Sequence, residues 1–174
     1  MKLSTSVKTF LFLLLIIIGL GVGGWYAWRA WTWPAIKLSN GWELHIARRW
    51  KVLDVHDVPA PSRPLLLVEG SKNSTEEKFS IEPRATPAVT TSRFILDMTA
   101  LMKSEQGSAT VLGQGFLQPK DSTVPYVLLQ GNGHELLAAW EKKDNQTYYF
   151  LARYPQSASA TFGREVLASM RSLR

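Results

Sequence analysis

The amino-acid sequence predicts an α+β domain, an antiparallel β-sheet packed by two helices, preceded by one transmembrane helix. Three observations carry that expectation. Residues 10 to 27, FLFLLLIIIGLGVGGWYA, hold no ionisable side chain. Between Glu43 and Arg153 several short segments alternate apolar and polar residues with period two, as half-buried strands do. Two other stretches, near 94–102 and 162–170, repeat apolar residues at helical spacing instead.

The first element is the apolar run. At about 1.5 Å per helical residue it is long enough to cross the hydrocarbon layer of a bilayer. Residues 1–9 are the expected cytoplasmic segment, 10–30 the membrane helix, 31–42 a linker and 43–174 the extracytoplasmic domain. Phe10, Leu14 and Ile18 lie in the apolar stretch, and Trp25, Tyr26, Trp28, Trp31 and Trp33 crowd its outgoing end. Amphipathic rings favour the headgroup layer, so these aromatics read as an interfacial belt. Lys2 and Lys8 before the run favour an N-terminus on the inside. The competing reading is a cleavable signal peptide. An Ala-x-Ala site ending at Ala27 or Ala30 would need a small residue where Trp25 or Trp28 stands, which favours a retained anchor. Gly19 and Gly23 form a small-xxx-small pair on which another helix can pack closely, although glycine is also simply common in membrane helices.

The domain follows. Glu43–Arg48 and Trp50–Val55 alternate as strands, residues 59–64 form a Pro-rich loop, Leu65–Val68 is a continuous apolar run and Lys78–Glu82 alternates again. A helix then opens at Thr90, Thr91 or Ser92 and stops at Gly107, with Phe94, Ile95, Met98, Leu101 and Met102 forming its apolar stripe. Strands are expected at Ala109–Leu117, Val124–Gln130, Glu135–Glu141 and Thr147–Arg153. Gly131-Asn132-Gly133 and Asp144-Asn145 mark tight hairpins between the last three, which must therefore run antiparallel. Phe162, Val166, Leu167 and Met170 place a closing helix that runs to about Leu173. The two helical stripes and one sheet face would bury each other as two layers.

This order of elements, with Gly41-Trp42, the aromatic strand start at Trp50 and the closing Ser169-Met170-Arg171-Ser172-Leu173, resembles the PsbP and DcrB-like superfamily. The resemblance covers residues 40 to 174. It implies an antiparallel sheet flanked by helices in an exported or membrane-tethered domain, and an accessory or assembly role. The lipid-tethered members carry a cysteine that this chain lacks, so its membrane helix would provide the tether.

Composition narrows the function. The net charge is +6, yet all 14 acidic residues lie at or beyond Glu43, and only Lys2, Lys8, Arg29 and Lys37 stand before it. The domain thus sets 16 basic against 14 acidic residues and offers no basic excess for nucleic acid. With no cysteine, disulfides, thiolate metal sites and a Cys nucleophile are excluded. His45, His56 and His134 show no metal-ligand spacing, and no Gly-x-Ser-x-Gly elbow or phosphate-binding glycine loop occurs. His134-Glu135 reads as a strand entrance before it reads as an acid–base pair. Tyr148, Tyr149 and Phe150 in succession must point to both faces of their strand, so one ring becomes a partner contact unless a helix covers it.

No cofactor or metal is expected. The expected function is a non-catalytic accessory, scaffold or assembly subunit of a membrane complex, with membrane lipid and other membrane subunits as partners. The rival is a membrane-tethered ligand-binding module or enzyme with a pocket between sheet and helices. The expected place is the cell's inner membrane, with the domain outside the cytoplasm, in the periplasm if the cell is Gram-negative.

Overall fold

The computed structural model describes residues 14, 18, 21–25, 28, 33–55, 58–59, 63–71, 74–84, 90–119 and 122–174. In chain order the elements are β1 (Ala35–Lys37), β2 (Glu43–His45), β3 (Lys51–Val52), β4 (Leu66–Ser71), β5 (Ser74–Arg84), α1 (Thr91–Gln106), β6 (Thr110–Leu117), β7 (Val124–Gly131), β8 (His134–Lys143) and β9 (Gln146–Pro155). A continuous helical run closes the chain: a 3₁₀ turn at Gln156–Ala158, a π turn at Ser159–Gly163, and α2 (Arg164–Arg171). The fold is α+β, as expected. Its main sheet has seven antiparallel strands in the order β3-β4-β5-β9-β8-β7-β6, beside a two-stranded β1-β2 sheet.

Local chemistry explains the hairpins. Asn132 and Gly133 have φ of 42° and 79°, and Asp144 and Asn145 have 49° and 64°, a left-handed geometry that Asn, Asp and Gly tolerate best. Two left-handed residues in succession match the twist of the flanking strands. They set Gly131 opposite His134 and Lys143 opposite Gln146. The Gly113 region is a bulge, as its glycines suggest, with the register slipping between Val111 and Gly113. In α1 the Thr90 hydroxyl accepts from the Arg93 amide at 3.3 Å, and Gly107 (φ 72°) donates its amide to the Lys103 carbonyl.

The helices do not share a face. The stripe Phe94, Met98 and Met102 of α1 packs on Val127, Leu129, Leu136, Ala138 and Leu151, whereas Phe162, Val166 and Met170 pack on the other side with Trp42, Leu44, Phe79 and Phe150. The domain has three layers rather than the expected two. The reason lies in β9, where Thr147 to Ala152 are all buried, so both faces of the central strands need cover. This also settles the aromatic triplet. Tyr149 lies under α1, edge-on to Phe94 at 5.2 Å, while Tyr148 and Phe150 lie under Trp42 at 4.9 and 5.6 Å. None of the three is left as an outward contact.

Within the segment before Glu43, residues 33–42 are described. Ala35–Lys37 pairs with Glu43–His45, and Leu38 and Trp42 are buried in the core. Pairing secures both edges of β2's neighbourhood, since Glu43 also exchanges backbone hydrogen bonds with Arg174, each 3.1 Å. The strand expected over Trp50–Val55 shrinks to Lys51–Val52, and the Trp50 amide closes a turn onto the Ala47 carbonyl at 2.9 Å instead of joining the ladder.

Residues 1–9 and most of 10–30, including Phe10, Gly19, Tyr26 and also Trp31 beyond them, lie outside the described residues. Leu14, Ile18, Gly21–Trp25 and Trp28 are helical. Among the described residues no helix is long and apolar enough to cross a membrane.

Candidate functional site

The closing helical run leaves β9 at Pro155 and packs over β9 and towards β2. That path covers the β4–β5–β9 half of its sheet face and leaves the β6–β7 half open. The opening is a cleft of about 400 Å³. Tyr126, Leu128, Leu137 and Tyr154 form its floor, with Gly113 at the outer end, where the missing side chain keeps the floor low. Gln156, Ser157, Ser159, Arg164 and Leu167 form the opposite wall. The volume falls within the usual range for small-molecule sites, and an apolar floor with a polar rim is the usual lining. Arg164 is the one charged residue among those lining it, and it is exposed.

The wall is built on close contacts. The Tyr154 ring meets Phe162 edge-on at 5.7 Å, and a Cβ placed on Gly163 would sit 2.8 Å from the Tyr154 hydroxyl. Glycine is therefore the residue that lets the π turn seat on β9. π turns of this kind recur at functional sites. Beneath the cleft the Tyr154 hydroxyl donates to Glu135, a carboxylate only 4% exposed. Burial, the Glu135 charge and that hydrogen bond together push the Tyr154 phenol well above its ordinary range. It stays a protonated hydrogen-bond donor at neutral pH. The second Glu135 oxygen, Oε2, is buried without a hydrogen-bond partner.

The structure separates His134 from Glu135, since neighbours on a strand face opposite ways. The His134 ring lies 3.3 Å from the Asn132 carbonyl, at the turn. His45 sits 3.0 Å from the Trp33 carbonyl on the far side of the domain. His56 lies outside the described residues. Among the described residues no three His, Asp or Glu side chains gather as a metal site would require.

The aromatic belt residues that are described cluster together. Trp25 and Trp28 are more than half exposed with ring centroids 5.5 Å apart. With Trp33, His45, Ala168 and Ser172 they line a hollow of about 170 Å³ against α2. Trp33 packs on the core. Leu14 and Ile18 are exposed, and a Cβ on Gly23 would meet nothing within 4 Å.

Sequence reasoning missed the cleft, the Tyr154–Glu135 pair and the outer edge of β6. That edge strand exposes Val111, Leu112 and Phe116, and Thr110–Leu117 (TVLGQGFL) contains no charged residue. The missing charge was a visible signal.

No protein-family model and no curated protein matches the chain. Its structure is similar to the solution structure of cyanobacterial PsbP (CyanoP) from Synechocystis sp. PCC 6803, with TM-score 0.60, 12% identity, and coverage of 82% of this chain and 92% of that one. It is also similar, at TM-score 0.46 and 7% identity, to the crystal structure of PA94 from Pseudomonas aeruginosa, a protein of unknown function, covering 80% and 94% of the two chains. The CyanoP likeness shows that this chain has a PsbP-like fold.

Proposed function

We infer that the chain is a non-catalytic accessory, scaffold or assembly subunit of a membrane protein complex. A single helix over residues 10–30 holds it, with the N-terminus inside and the domain on the extracytoplasmic side. The observation that carries this reading is the short path between belt and core. Trp33 already packs on the hydrophobic core and β1 begins at Ala35, while Trp25 and Trp28 lie against α2. A helix ending in that belt would hold the domain at the headgroup layer with no slack. Confinement there raises the effective concentration of neighbouring subunits, so a modest interface suffices. The PsbP-like fold and the uncharged apolar run support the same reading. The test is mild detergent extraction, followed by identification of the proteins that travel with the chain. Stable co-purification with membrane subunits is expected, and a chain that fractionates alone and without membrane would overturn it.

The cleft favours a second reading, a tethered ligand-binding module. Its apolar floor and the single guanidinium of Arg164 suit an amphipathic anion. Filling the floor with Leu128→Trp should abolish a thermal shift produced by such ligands. Unchanged shifts would remove the cleft from consideration.

A further inference from the structure

We propose that the outer edge of β6 pairs antiparallel with β6 of a second copy of this chain, joining two sheets across a two-fold axis at Gln114. β6 ends the seven-stranded sheet, and among the described residues no strand covers its outer side. An open strand edge offers a row of unpaired amides and carbonyls, and natural proteins blunt such edges with charge, proline, shortness or a bulge. The opposite edge is blunted. β3 has two residues, one of them Lys51. β6 has eight residues with neither charge nor proline, and its one bulge lies at the Val111–Gly113 end, which leaves Gly113–Leu117 regular.

The absence of charge fits a second copy as the occupant. In an isologous contact the residue on the axis faces its own copy, so a charge there meets a like charge, and a lone charge beside it meets no counter-charge. A strand that pairs with itself must be neutral there, and Thr110–Leu117 is. Counting outward from Gln114 on the two antiparallel strands puts Gly113 opposite the second Gly115, and the bulged Leu112 beyond it beside the second Phe116. Leu112 is 48% and Phe116 62% exposed, so each apolar side chain gains cover from the other. The two Gln114 amides meet at the axis, and each carries both a donor and an acceptor.

Symmetry also fits the reading above. The two-fold axis of an antiparallel strand pair stands perpendicular to the sheet, so both copies keep their β1–β2 and α2 layer on the same side. Trp33 and Ile36 pack on that side in both copies, so anchors preceding them would serve both copies in one membrane. A single strand pair is a small interface, and tethering in one bilayer supplies the effective concentration it needs.

The chain has no cysteine, which permits a direct test in its own membranes. Single substitutions Gln114→Cys, and Leu96→Cys as an exposed control on α1, are oxidised with copper phenanthroline. Two Cα atoms paired at about 5 Å are within disulfide reach, so Gln114→Cys should give a linked homodimer at about ten times the control yield. Adding Phe116→Asp should reduce that yield to the control level while circular dichroism stays unchanged. Equal yields from both cysteine variants would overturn the proposal. So would a Gln114→Cys thiol shielded from maleimide with no homodimer, which would place another protein's strand on this edge. Membrane fractionation of the same samples reports the anchor separately.

Discussion

Tyr154 on β9 stands directly opposite Glu135 on β8 and donates its hydroxyl to that buried carboxylate. The pair links the hairpin to the wall of the cleft, since the same ring carries Phe162 and closes against Gly163. Tyr154→Phe removes the donor but leaves the carboxylate buried, 4% exposed and with its other oxygen already unpartnered. Stranding such a group costs about 1–3 kcal/mol. The melting temperature should fall accordingly. Adding Glu135→Gln, which removes the charge to be stranded, should recover part of the loss, and additive losses would show that the two residues act independently.

Alkaline titration tests the same phenol. Its pKa in the fold lies above the unfolded value of about 10, so the folded state holds the proton more tightly. The stabilisation is complete below pH of about 10 and is lost as pH rises from there through the folded value. Tyr149 is raised in the same direction, first by burial and then by the charge of Asp97, against the opposing charge of Arg84. Ultraviolet absorbance of phenolate should therefore show fewer tyrosines titrating near their ordinary pH than the five in the chain, with the rest appearing as the protein unfolds. All five titrating together in the folded state would contradict the buried pair.

Gly163→Ala should destabilise through contact rather than backbone conformation, because the residue has helical φ and ψ of −58° and −43°. Its new methyl would lie 2.8 Å from the Tyr154 hydroxyl and 3.0 Å from the ring carbon bearing it. Overpacking of this kind costs about 1–3 kcal/mol. In a Tyr154→Phe background the nearest clash disappears and the ring carbon remains. The substitution should then cost less, and an equal cost in both backgrounds, measured by urea unfolding, would place the strain elsewhere.

What the sequence discloses here is mostly what local chemistry dictates. The stripe Phe94, Met98, Met102 is legible because one helix turn repeats it, and Asn132-Gly133 because few residues accept two successive positive φ values. Even Tyr154 opposite Glu135 was within reach, since the two are equally far from the Asp144-Asn145 turn. Other features depend on distant chain. Nothing within Ala35–Lys37 announces that it pairs with Glu43–His45, and a burial pattern cannot say which half of a sheet the closing helix will leave bare. The cleft exists only because that choice favoured β9 over β7.

Glu165 shows how the closing helix is held to the early strands, and it gives the final prediction. Its carboxylate accepts from Arg49 Nε at 3.0 Å and from the Trp50 indole N–H at 2.9 Å. The two partners are not equal. The Arg49 side chain is 43% exposed, and ion pairs so open to water contribute about 0–1 kcal/mol. Trp50 is 5% exposed, so its indole N–H has little recourse to solvent if the acceptor is lost. Removing the acceptor should cost about 1–3 kcal/mol. Glu165→Ala should therefore destabilise the domain clearly more than Arg49→Ala, and Glu165→Gln, which keeps an acceptor for the indole, should fall between them. Chemical unfolding of the three variants checks the order. If Arg49→Ala costs as much as Glu165→Ala, the exposed ion pair and not the buried indole holds the helix in place.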